Sequence, residues 1–341
     1  MTYTPIVLVG YAALLITVVV PLLATATWPE RAPCLGIAAW QVVSASIVFA
    51  VILGALTFAV PAESLGGRVA SFVEACVHVL RTAYATPQHA LPASIALAVI
   101  VVITARLGYC LSAEAIGASR ARRRHARMLA LVASPLPHLD AVVVNDRSAV
   151  VYCIPGRAPR VVVTTGALES LTAAQLQAVL AHERAHLRGR HDLVLVAAAA
   201  LARAFPVVPL FATAHSEMGR LLEMLADDEA GRRNGRSSVA TALVHLATCA
   251  PPRAGLAAGG PTVLSRVQRL MTPARPLGAV PTLLGGVIVI LVLLAPTAMV
   301  VVPAVAALQS SYCELPASEP RAALIVSGLD HRDSGGRRVP A

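Results

Sequence analysis

Residues 172–189 read TAAQLQAVLAHERAHLRG, and this stretch decides the fold. Thr172, followed three positions later by Gln175, forms a capping box, and Leu171 is placed to staple onto Leu176. The spacing predicts a helix that starts at Thr172 and ends at Gly189. Within it His182, Glu183 and His186 make an H-E-x-x-H motif. Residues four apart share a helical face, so both imidazoles can reach one metal ion. Glu183 lies beside them, placed to take a proton from a metal-bound water. Zinc in such a site lowers the pKa of that water and polarises the scissile carbonyl. The plainer reading is two solvated helical histidines near Arg184 and Arg188. A capped helix behind predicted strands outweighs it.

A catalytic zinc site has three protein ligands and one open position. Two residues compete for the third place. Glu223 stands in EMLAD, where Glu223 and Asp227 share a helical face. Asp192 completes H-E-x-x-H-x-x-G-x-x-D through Gly189, a pattern like that of a minor zinc-protease class. The other histidines get quieter readings. His191 and His215 are taken as surface or helix-end residues. His245 is a candidate for steadying the transition-state oxyanion but reads first as structural. Arg266 has the same two readings, with an anionic partner near the site.

Upstream, residues 141–144 and 149–153 read as short strands around the turn at 145–148, and 160–164 as another after Pro155-Gly156. The strand at 160–164 is expected to be an edge along which a substrate chain lies extended. Farther out the chain is unusually apolar. Its hydrophobic share is 57% and its charged share 13%, and the excess sits in long uncharged runs, the mark of a membrane protein. Four runs are long enough to span: about 6–27, 35–60, 91–111 and 280–308. The first has no basic residue ahead of it and a second run close behind, which argues against a signal peptide. Arg106 lies near one end of the third, where it can snorkel. Pro296 and Pro303 lie inside the fourth.

Five arginines in residues 119–127, SRARRRHAR, follow the third run and put that side in the cytoplasm. Arg266, Arg269 and Arg275 before the fourth run agree. Counting outward, the N-terminus, the stretch 61–90 and the tail from Gln309 are outside, while 28–34 and 112–279 are inside. The apolar stretch 193–214 is expected not to cross. Arg203 at its middle is costly in hydrocarbon, and Pro206 and Pro209 break the helix needed there. A crossing would also part Glu223 from His182 and His186. The stretch should be a bent helical segment packed on the domain or dipping into the interface.

The net charge is +10 with no lysine at all. No basic run is interleaved with aromatics, and aromatics are only 4%, so no direct nucleic-acid partner is expected. The six cysteines form no C-x-x-C pair, which argues against a thiolate metal site. Cys76 and Cys313 fall on the external side and are candidates for a disulfide.

Several stretches together resemble a known family. The E-x-x-A-D after H-E-x-x-H is similar to the second zinc helix of gluzincin membrane proteases such as the CAAX prenyl proteases. The run AVLAHERAHLRGRH, then LLEMLADDEA, with PGRAPRVVVTTGAL before them, resembles the BlaR/MecR-type membrane metallopeptidases. That resemblance implies four transmembrane helices around a cytoplasmic α+β zinc domain. It implies His182, His186 and Glu223 as ligands of one Zn(2+) per chain, Glu183 as general base, and Asp227 as a group orienting a ligand histidine. It also implies a protein substrate such as a cytoplasmic transcriptional repressor. The antibiotic sensors of that family carry a penicillin-binding domain after the fourth span. Here residues 309–341 are polar, rich in Gly and Pro and expected to be disordered, and no S-x-x-K motif exists without lysine.

The expectation is therefore a plasma-membrane, multi-pass zinc endopeptidase with three spans in residues 1–111, a peptidase domain at 112–279, and a fourth span at 280–308. The alternatives are a CAAX- or HtpX-like quality-control protease and, from another class, a catalytically silent signalling scaffold. The intact Glu183 argues against the scaffold.

Overall fold

The computed structural model describes residues 3–59, 87–249, 260–273 and 275–313. It is mainly helical, with one small sheet. Helix α1 (Thr4–Leu14) continues through a π-helical turn (Leu15–Val19) into α2 (Val20–Thr25). A short α3 (Trp28–Arg31) leads to α4 (Pro33–Ala59). Among the described residues, four helical stretches are long and apolar enough to cross a membrane: Thr4–Thr25, Pro33–Phe58, Leu91–Val132 and Ala279–Pro303. The last begins α12 (Ala279–Cys313), with Pro296 and Pro303 inside it. The Tyr11 hydroxyl donates to the Val292 carbonyl at 2.8 Å, as does Ser46. These bonds tie α1, α4 and α12 together where their apolar faces meet, around Leu8, Trp40 and Val43.

The third apolar run belongs to α5 (Pro87–Val132), which is unbroken far past residue 111. The arginine-rich run 119–127 lies on this helix, because Ala, Arg, Leu and Glu are strong helix formers and nothing there stops it. Its end leads directly into the sheet: β1 (Ala133–Leu136), β2 (Ala141–Val144), β3 (Val151–Ile154) and β4 (Arg160–Thr164). The strand order is β1-β2-β4-β3, with β2 and β4 parallel and the outer pairs antiparallel.

A strand the sequence reading did not include lies at Ala133–Leu136, where Pro135 hid any strand signature, and one expectation is corrected. Residues 160–164 are a central strand, not an edge. Their unbroken Val161–Val163 run is buried on both faces: Val161 and Val163 pack with Leu180 and Ala242, and Val162 packs with Leu129. Continuous apolar runs mark strands covered on both sides. The open edge on that flank is β3.

Helix α6 (Thr165–Ser170) follows, then α7 (Ala173–Arg188), which carries the H-E-x-x-H motif. Both halves of the capping box at Thr172 and Gln175 are formed. Helix α8 (His191–Ala204) runs back along α5: Asp192 meets Arg122, Arg203 meets Glu114, and Arg106 donates to the Ala204 carbonyl. The chain turns at 205–208, and α9 (Pro209–Asn234) climbs back in the opposite sense. The apolar stretch 193–214 is thus a hairpin of two helices. Ala198, Leu210, Phe211 and Ala214 of this stretch join the core around Trp40. Helices α10 (Arg236–Cys249) and α11 (Gly260–Met271) complete the domain. The segment between α2 and α4 docks on it, since Arg220 meets the Glu30 carboxylate at 2.7 Å and Arg269 donates to the Glu30 carbonyl at 2.8 Å. Helix α12 carries the chain on through residues 309–313. Cys76, most of the stretch 61–90, the Cys313 side chain and the tail beyond 313 lie outside the described residues.

Candidate metal centre

Helices α7 and α9 pack side by side, and their facing side chains build the site. His182 and His186, one turn apart on α7, bring their Nε2 atoms to 3.1 Å. From α9, the Glu223 carboxylate lies 3.5 Å from His182 Nε2 and 3.4 Å from His186 Nε2. The ligand atoms of these three residues all lie within 4.8 Å of one another, so the group could hold one metal ion. Two imidazoles and one carboxylate suit a borderline divalent ion such as zinc, and three ligands leave a position for water. Asp192, the rival third ligand, is not in this group. It is held by Arg122 at 3.2 Å, at the start of α8.

Behind the donors lies a buried electrostatic scaffold. Asp227, one turn beyond Glu223, is 1% exposed and places Oδ1 at 3.0 Å from His182 Nδ1. The contact is bent away from an aligned hydrogen bond. Arg266 on α11 grips Asp227 through two bonds of 2.7 Å and reaches Glu223 at 2.9 Å. Two parallel N–H donors on one carboxylate fix direction as well as charge. Removing one member of so buried a pair would strand the other, at a cost of about 3–5 kcal/mol. The anionic partner expected for Arg266 is therefore this pair of carboxylates. His245 is not brought to the group: its contact is Cys249 of its own helix, at 3.7 Å.

His191 opens α8, the helix-end position expected of it, but it is not at the surface. It is 5% exposed, and its Nδ1 lies 2.9 Å from His186 Nδ1. Gly189 and Arg190 turn the chain between α7 and α8, with Arg190 at φ 48 in the left-handed region. This tight reversal folds the His191 ring back onto the helix it follows. A signal was present in the sequence, a histidine five positions after His186 and just past the helix-ending glycine. Helical periodicity does not extend across such a turn, so spacing alone gave it no partner.

Glu183 is half-buried beside β3, with Cys153 as its neighbour there. Burial is the main cause of a Glu183 pKa above the usual carboxylate range, with His182 opposing it. Burial, and then Glu183, pushes the Cys153 thiol well up. Burial also works against the charged forms of Glu223 and Asp227, but His182 and Arg266 prevail and hold each at about 2. The same carboxylates overcome the burial of His182 and raise it to about 9, while burial, with the neighbouring cations, lowers His186 to about 4.

These values fix a testable sign. At pH 7 the metal-free chain has His182 protonated, His186 neutral and Glu223 ionised. An arriving metal must displace the His182 proton. Binding at pH 7 is therefore expected to release about one proton, and apparent affinity to rise with pH until about 9. Titration calorimetry in buffers of different ionisation enthalpy measures this directly. Zero proton release would contradict the assigned His182 state.

Residues 117–274 match the model of Peptidase family M48. Among curated proteins, the plastoglobule-localized metallopeptidase 48, chloroplastic, of Arabidopsis thaliana is similar to this chain, 44% identical over 64 residues. That alignment covers 19% of this chain and 19% of the relative, so the chain spans about a fifth of the length of the curated relative it matches. No solved structure matches.

Proposed function

We propose that this chain, which carries a Peptidase family M48 domain at residues 117–274, is an integral-membrane zinc endopeptidase acting on a cytoplasmic regulatory protein. The observation that carries the reading is the meeting of His182, His186 and Glu223 from two helices, beside a half-buried Glu183 and the open edge of β3.

His182, His186 and Glu223 would hold the zinc, with Asp227 steadying His182 and Arg266 steadying Asp227. When bound, zinc supplies Lewis-acid polarisation of the carbonyl and an acidified water. The remaining work falls to the chain itself. Glu183 accepts the proton of the attacking water and later gives it to the leaving amine. Its raised pKa suits both transfers, since it lies closer to neutrality than that of an ordinary carboxylate. A substrate strand would add to the outer edge of β3, whose other edge is already bonded to β4. Tyr152 and Cys153 on β3 would then flank the bound peptide.

The membrane part of the proposal has four apolar helices behind it. The arginines of 119–127 favour a cytoplasmic domain, and the Glu30 contacts are consistent with the 28–34 segment sharing its side. The hairpin of α8 and α9 would reach the membrane face at its tip, where Val207 is 89% exposed. The narrower BlaR/MecR-type reading, and with it a transcriptional repressor as substrate, rests on motif resemblance.

One experiment addresses both halves. Cells making the wild type are compared with cells making Glu183→Gln, by mapping new N-termini in soluble and membrane fractions. Reporter fusions after Arg127 and Gln309 fix the sides. A soluble regulator cleaved only by the wild type, with the Arg127 fusion inside and the Gln309 fusion outside, is the expected result. Cleavage confined to membrane proteins would replace regulation by quality control. No difference between the strains would return the chain to a non-catalytic role.

A further inference from the structure

We infer that His191 is a positioning residue of the metal centre: it accepts the Nδ1–H of His186 and so fixes the tautomer that presents His186 Nε2 to the metal, with Gly189 leaving the room for its ring. The inference rests on the zinc reading above and deepens it.

A histidine that ligates through Nε2 carries its proton on Nδ1, and that proton needs an acceptor. For His182 the neighbour at Nδ1 is Asp227. For His186 no carboxylate stands there among the described residues. The neighbour at 2.9 Å is His191 Nδ1, and the two rings meet edge to face with centroids 4.8 Å apart. Two nitrogens so close require one donor and one acceptor. With His186 as donor, His191 accepts at Nδ1 and keeps its own proton on Nε2.

The backbone is shaped for this contact. A Cβ added at Gly189 would stand 2.3 Å from His191 Nε2 and 2.5 Å from its Cδ2. Gly189 has φ −76, an ordinary value for any residue, so its freedom of dihedral is not what the site uses. It uses the missing side chain. Arg190 takes the left-handed conformation that makes the reversal. Asp192, held by Arg122, anchors the first turn of α8 on the other side of His191.

The test uses the full chain in detergent, stripped of metal, with zinc affinity measured by competition against a chromophoric chelator. The visible absorption of the cobalt-substituted protein is recorded in parallel. His191→Leu should weaken zinc binding about 10–100-fold and shift the cobalt bands. Gly189→Ala keeps the histidine but displaces its ring, and should weaken binding in the same direction. His191→Asn places an amide oxygen near the position of Nδ1 and should restore most of the affinity. His245→Leu, away from the group, should leave binding unchanged. Wild-type affinity and an unshifted cobalt spectrum in His191→Leu would overturn the inference, even if thermal stability fell. If His191→Leu does not fold, Gly189→Ala and His191→Asn decide: wild-type affinity in the former, or weak binding in the latter, overturns it. A wild-type chain that binds no zinc would sink the zinc reading itself, which is a separate outcome.

Discussion

Glu183→Gln is expected to leave the zinc content of the protein unchanged while proteolysis falls on the order of 10²–10⁴-fold, the usual worth of a positioned general base. The residue sits next to a ligand in sequence but outside the ligand group in space. Its carboxylate turns toward Cys153 on β3, where burial raises its pKa. Glutamine has the same shape, but it takes no proton from water. Metal analysis of the purified variant and single-turnover cleavage of a peptide give the two readouts. Cleavage at the wild-type rate would remove Glu183 from the mechanism. Loss of zinc would mean that it shapes the metal centre rather than the proton transfers.

Glu223→Ala is expected to weaken zinc binding beyond the roughly 10–100-fold that loss of a supporting contact costs, whereas Asp192→Ala should bind nearly as the wild type does. Glu223 is within 3.5 Å of both histidine Nε2 atoms, while Asp192 is engaged with Arg122. The alanine change also deprives Arg266 of one partner, so Glu223→Gln, which keeps the volume, is measured beside it, with helical content monitored by circular dichroism. Metal loss in the Asp192 variant alone would overturn the ligand set and would make the α8–α9 hairpin irrelevant to the site.

Much of this site was legible in the sequence, for reasons that can be named. The capping box at Thr172, the apolar period through Leu180 and the glycine at 189 each act within a few residues of one another. Local chemistry of that kind determines a helix with little help from the rest of the chain. Once the helix is given, the shared face of His182 and His186 follows from its geometry. The hairpin at 193–214 was legible through cost: Arg203 and two prolines are a poor crossing segment.

The tertiary structure decided what depends on pairing between distant segments. Which strand is central is settled by who lies beside whom, so Arg160–Thr164 became an inner strand and Val151–Ile154 the open edge, a choice that alternation within one segment does not encode. The continuation of α5 past residue 111 carries Arg122 to Asp192 and His125 to Tyr152, the latter at 2.7 Å. Those are contacts across tens of residues. Motif context favoured Glu223 over Asp192, whose claim came from local spacing, and the return of α9 alongside α7 is what brings Glu223 to both histidines. His191 went unread because its partner lies across a reversal at Arg190, where neither helical nor strand period applies. The sequence by itself determined the helix of the H-E-x-x-H motif and the chemistry it can hold, because those act within one turn of helix. Only the tertiary structure shows the open edge at β3, the approach of His191 to His186 and the meeting of Glu223 and Asp227 with the histidines, because each is a contact between segments that only folding brings together.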